Sequence, residues 1–338
     1  MGLRAINNPK SSFEDPYAST GLDAVNAAPQ PVVATGGDIY KDSGYVIHVF
    51  KSPGNFVFSS GVIDDGEILV IAGGGGGAYD DGGGGGAGGV AWTPDGLDIA
   101  QGTYAVVVGD GGEGGNDGTD GGDSTWNAPA PTTDGAVTAK GGGAGTRTPG
   151  SMPSAAGGCG GGYGYSQTNG GGPATQPTTS NPPWIEQFGE PGSIRGEWGG
   201  GGGGAGGGSP QRAGIGGNAK PFSSFPGPLF ASPNSPTGSS MPTDWQSAVS
   251  PTGLFAGGGG GGGRNGPESH KGGGTSVNPA NGPKGGSGDG QGNPSPPSVM
   301  SAGLDNTGSG GGGNTGSGGT PSGADGGKGI VIVRYKEV

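Results

Sequence analysis

The chain has 338 residues, of which 93 are Gly and 30 are Pro, and only 28% are hydrophobic. Such a composition excludes an ordinary helical or α/β domain, because each interior Gly costs a helix roughly 1 kcal/mol against Ala. A formal net charge of −12 argues against nucleic acid and anionic membranes as partners.

Residues 1–43 begin as mixed sequence, low in Gly and Pro-rich towards the end. They read as an N-terminal attachment arm, either disordered or held by another protein. No charged start leads into an apolar run, so no signal peptide is expected, and the run Ile68 to Ala72 is too short to span a bilayer. From residue 44 the pattern turns strand-like. Short β-branched and aromatic runs at 45–50, 55–60, 66–74, 89–94 and 102–112 are bounded by Gly, Asp, Asn and Pro. The sequence "SPGN" at 52–55 predicts a hairpin between the first two.

Residues 113–328 alternate glycine runs with polar, Pro-rich and aromatic segments, without the period of collagen or of a solenoid. The chain closes on "GKGIVIVRYKEV", a strand expected to place Ile330, Ile332 and Arg334 on one side and Val331, Val333 and Tyr335 on the other. The predicted fold is therefore all-β and irregular, with essentially no α-helix. A small antiparallel β-sandwich (strands in 45–112 and 329–338) carries a large insertion, 113–328, ahead of its final strand, within a glycine-rich domain spanning 44–338.

Glycine runs such as 257–263 end in Leu, Phe and Ala rather than in Ser-rich linker sequence. Extended threefold helices of the polyproline II type leave every N–H and C=O pointing sideways, and without Cβ atoms their neighbours can bond backbone to backbone. Ordering a residue costs roughly 1–2 kcal/mol, and a hydrogen bond returns about 0.5–1.5, so only a bundle bonded in several directions approaches balance. The runs 199–208 and 257–263 are expected in its middle. The sequence "GGCGGGYGY" is expected at its edge, side chains outward.

The ordered series "EILVIAGGGGGAYDDGGGGGAGG", "GTYAVVVGDGGEGG", "DGGDSTW", "VTAKGGGAG" and "GGKGIVIVRY" resembles the glycine-rich domain of tailed-phage tail fibre and tail tip proteins, including adhesins with packed polyglycine-II helices. The resemblance covers residues 45–338. It implies a virion protein assembled in the host cytoplasm, whose far-end loops bind a host surface glycan or protein. Residues 1–43 would then dock on another virion protein, the oligomeric state being open, a trimer included. The alternative is a capsid or tail decoration protein that touches no receptor.

Chemical motifs are sparse. "ILVIAGGGGGA" lacks the following helix a dinucleotide site needs, and "GGKGI" lacks the Ser/Thr of a P-loop. His48 and His270 have no Cys nearby, and the only cysteine, Cys159, has no disulfide partner. No enzyme, cofactor or metal is expected, although Asp110, Asp117, Asp120 and Asp123 are weak calcium candidates among tight glycine turns. The candidate receptor-binding residues are aromatics among small polar neighbours: Tyr79, Tyr163, Tyr165, Trp184, Phe188, Trp198, Phe225 and Trp245.

Overall fold

A computed structural model describes residues 30–127, 137–147, 155–165, 170–177, 185–194, 199–210, 214–234, 238–263, 285–291, 300–316 and 322–337. The strands are β1 (Val33–Thr35), β2 (Asp38–Asp42), β3 (Tyr45–Phe50), β4 (Gly54–Ser60), β5 (Ile63–Ile71), β6 (Val90–Ile99), β7 (Gly102–Val107), β8 (Ser124–Asn127), β9 (Val137–Ala139), β10 (Glu186–Phe188), β11 (Lys220–Pro221), β12 (Leu254–Phe255) and β13 (Ile330–Lys336). A seven-residue helix, α1 (Thr243–Val249), and a 3-10 turn at Gly227–Ala231 are the helical pieces among the described residues.

Two antiparallel sheets form the sandwich, in the orders β1-β4-β7-β8-β9 and β10-β6-β5-β13-β3-β2, and β11 pairs with β12 separately. The closing strand lies between β5 and β3, as a C-terminal strand returning to the sandwich should. Because β3 and β4 belong to different sheets, the "SPGN" segment is a corner between sheets and not the predicted hairpin. Its Pro and Gly turn the chain, but the apolar faces of both strands are buried towards the inter-sheet core, which pulls them into separate layers. β1 and β2 fall inside the segment read as an arm, so the sandwich begins at residue 33.

Between the sheets, Phe56, Phe58, Tyr104, Val106 and Trp126 meet Val46, Phe50, Ile68, Val70, Val331, Val333 and Tyr335. The opposite face of the six-stranded sheet is equally apolar. Ile47, Leu69, Ile71, Ile330 and Ile332 pack under Phe222, Phe225, Phe230, Met241, Trp245 and Phe255. A strand buried on both faces reads as a continuous apolar run, which is why "ILVI" and "IVIV" do not alternate. Glu67 and Arg334 interrupt this face as an ion pair at 2.6 Å, with Trp92 donating its indole N–H to Glu67 at 2.8 Å. The Arg334 guanidinium lies 3.5 Å from the Tyr45 ring centroid.

The glycine lattice grows out of the strands. β5 continues into 72–78 and the chain returns through 82–89 into β6. The β5–β6 pairing Ile71↔Val90 extends in unbroken register through Ala72 N–H to Gly89 C=O (3.2 Å), Gly75 to Gly86 (2.8 Å) and Ala78 to Gly83 (2.9 Å). Between these bonds, residues 73 and 76 donate to 117–123, and residues 74 and 77 donate to 322–329. That three-residue rotation is the period of a polyproline II helix. Segment 72–78 also accepts from 108–115, 140–147 and 307–315, giving it six bonded neighbours.

Segments 82–89 and 307–315 are likewise bonded on six sides. The runs 199–208 and 257–263, expected in the middle, are each bonded to five neighbouring segments. The first ends in a turn where Gly204 and Gly207 bond each other, so 199–208 is not one straight helix. The run containing "GGCGGGYGY" is not an edge either. Residues 157–164 are buried, and Cys159 is wholly enclosed in the second core.

Close approach is what requires glycine here. A Cβ on Gly85 would overlap the Gly75 carbonyl, and one on Gly259 the Gly311 carbonyl. Where the lattice ends, side chains replace missing neighbours. Asp117, Asp120 and Asp123 each accept, through Oδ1, the N–H of Arg147, Ala144 and Gly141 at 2.7–2.8 Å, one carboxylate per helical turn.

Candidate recognition surface

The turns of the lattice remote from the sheets gather at one end. Residues 79–81 join 72–78 to 82–89, and Asp80 and Asp81 both adopt left-handed φ, 59° and 54°. Two consecutive non-glycine residues in that region are uncommon and mark a tightly specified turn. Tyr79 donates its N–H to the Asn116 carbonyl at 3.2 Å and its O–H to the Gly316 carbonyl at 3.3 Å. Arg147, at the end of 140–147, pairs with Asp80 at 2.8 Å and lies 5.8 Å from the Tyr79 ring centroid. Tyr165 donates its N–H to the Asp81 carbonyl at 3.1 Å and is 43% exposed.

The loop end therefore presents two tyrosines, a guanidinium and a carboxylate. Flat apolar rings beside charged hydrogen-bonding groups suit a polyhydroxylated or mixed polar ligand. Of the sequence candidates, Tyr79, Tyr163 and Tyr165 are at this end, but Tyr163 is only 9% exposed, its backbone being bonded to Ser193 and Gly200. Arg147, Asp80 and Asp81 were missed. The adjacent acids between two glycine runs, and the first cation after "KGGGAGT", were the available signals.

Other candidates are placed elsewhere. Phe225 and Trp245 are wholly buried in the second core, so neither can be a surface contact. Trp245 lies on α1, meets Phe230 edge-on at 5.5 Å and donates its indole N–H to Asn306 at 3.2 Å. The apolar outer face of the six-stranded sheet needs a cover, and these aromatics supply it. Phe188 is half-buried in β10, at the sheet rather than the loop end, against Phe222 and under the Lys220 ammonium. Trp184 and Trp198 lie outside the described residues.

The calcium reading is corrected. Successive positions on one face of a polyproline II helix are about 9 Å apart, too far for Asp117, Asp120 and Asp123 to share an ion with oxygen ligands at about 2.4 Å. Each carboxylate is instead committed to a backbone N–H, and Asp110 faces Lys328 at 3.2 Å. No group of three or more His, Cys, Asp or Glu suited to a metal occurs among the described residues.

The buried titratable groups serve packing. His48 donates through Nδ1 to the Gly36 carbonyl at 2.7 Å, leaving Nε2 to accept from the Tyr335 hydroxyl at 3.1 Å. Burial lowers its pKa to about 4, so the ring is neutral at pH 7. Burial pushes the Cys159 thiol up to about 12, far from a reactive thiolate.

No curated protein matches the chain. The profile of the glycine-rich domain family matches residues 51–336, which take in the lattice and the strands β4 to β13 but not β1–β3. The chain belongs to the glycine-rich domain family.

Proposed function

We propose that the protein is a non-enzymatic virion protein of a tailed phage, a tail fibre or tail tip adhesin that binds a host surface glycan or protein through the loop end of its lattice. The segment ahead of β1 attaches it to another virion protein, and assembly takes place in the host cytoplasm. The observation that carries the reading is the mounting of Tyr79, Asp80, Arg147 and Tyr165 on glycine helices bonded on as many as six sides. A scaffold held this tightly loses little further freedom when its loops meet a ligand, so more of the contact energy is expressed as affinity. The resemblance of the ordered motif series to the glycine-rich domains of phage tail proteins supports the same reading.

The test is adsorption of particles carrying Tyr79→Ala, Arg147→Ala and Tyr165→Ala together. The proposal expects adsorption to fall by about tenfold or more with unchanged particle heat resistance; tenfold corresponds to about 1.4 kcal/mol. Normal adsorption with heat-fragile particles would instead assign the chain to decoration.

A further inference from the structure

The sheet end opposite the loops carries an arrangement that the fold does not explain. In the β5–β6 pair, Ile63 stands opposite Ile99 and Gly66 opposite Leu97, with a register shift between them. Asp64 and Asp65 on the bulged strand therefore both face Asp98. Like charges opposite one another across strands destabilise a sheet, and bulges re-aim side chains beside sites. Lys336 takes Asp65, at 3.1 Å. Asp64 and Asp98 have no cation partner among the described residues.

Both acids line a cleft of about 510 Å³ whose floor is apolar, formed by Phe58, Ile63 and Ile99. Its rim carries Val62, 68% exposed, and Val33 is nearby at 45%. An apolar floor under two unneutralised carboxylates fits a long side chain with an aliphatic stem and a cationic head. We propose that this cleft is a docking surface for a Lys or Arg side chain of a partner protein, flanked on the partner by an apolar residue that covers Val62. A bound metal ion is disfavoured because no suitable group of three or more ligands occurs here. The attachment role proposed above enters only in naming the partner as another virion subunit; the cleft stands on its own geometry.

The test uses the full chain with two probes, acetyl-Val-Arg-Val-amide and acetyl-Val-Glu-Val-amide, followed by backbone amide shifts, and calcium chloride alone as a third. The arginine peptide should give saturable shifts confined to residues 61–64 and 98–101, with a dissociation constant on the order of 1 mM. Asp64→Asn with Asp98→Asn should weaken it about tenfold while leaving Tm unchanged or raised by about 1–3 °C, as relief of like charge requires. Absence of saturation by about 10 mM, equal shifts with the glutamate peptide, tighter calcium binding at the same amides, or a fall in Tm of the double variant would each overturn the proposal. None of these readouts involves adsorption, so failure of the adhesin reading would be seen separately.

Discussion

Gly85→Ala and Gly170→Ala are the same chemical change with opposite predicted signs. Gly85 donates to Gly311 and accepts from Gly259, both at 2.9 Å, and the Gly75 carbonyl occupies the space a methyl would need. Admitting the methyl means moving backbone on at least one side. Two or three buried peptide groups would then lose their partners, at about 1–3 kcal/mol each. The smaller unfolded-state entropy of Ala returns only about 0.4–1 kcal/mol. The net cost is about 1–8 kcal/mol, a large part of the 5–15 kcal/mol typical of a whole domain. Gly170 has nothing within 4 Å of its virtual methyl and no left-handed φ, so only the entropy gain remains and a stabilisation of about 0.4–1 kcal/mol is expected. Urea midpoints at constant m-value measure both. If Gly85→Ala stayed within about 1 kcal/mol of the unsubstituted protein, close packing of bare backbone would not be what holds this segment.

Three further outcomes follow from the buried and edge groups. Because His48 titrates at about 4 in the folded chain and about 6.5 in a free side chain, its contribution is fully present above pH 6.5. It declines by about 1.4 kcal/mol per pH unit down to pH 4, roughly 3 kcal/mol in all. His48→Gln should flatten that part of the stability-versus-pH curve in urea titrations, and an unchanged slope would contradict the assignment. Asp120→Ala should cost about 1–2 kcal/mol by stranding the Ala144 N–H. Asp120→Asn, which keeps the acceptor, should cost less by the same urea assay. Cys159 should stay unmodified by an aromatic disulfide reagent at pH 8 until the chain is denatured.

The strands were legible because β-branched runs bounded by Gly and Pro have few other readings, and the threefold lattice followed from glycine runs that no helix or linker could use. The layer assignment of "SPGN" was not legible. A Pro-Gly turn serves a hairpin and an inter-sheet corner equally, and the choice rests on which apolar faces meet across about fifty residues of sequence. Phe225 and Trp245 were misread for a related reason. Local context, Pro and Ser around an aromatic, describes a surface loop, yet the doubly apolar strands "ILVI" and "IVIV" demand a second cover. The Asp117, Asp120 and Asp123 series carried its meaning in the spacing of three, which is the helical period and not a ligand pattern. Arg147 could not be placed from sequence, because its contact with Asp80 depends on lattice register set by β5, β6 and β9.

The central claim is that peptide groups of side-chain-free segments satisfy one another and stand in for a conventional interior. Amide hydrogen exchange at Gly75, Gly76, Gly85, Gly86 and Gly311 tests it most directly. Protection approaching that of the β5 and β13 amides is predicted, since these groups open only when the lattice does. Exchange at the rate of an unstructured peptide, with the sandwich amides still protected, would contradict it.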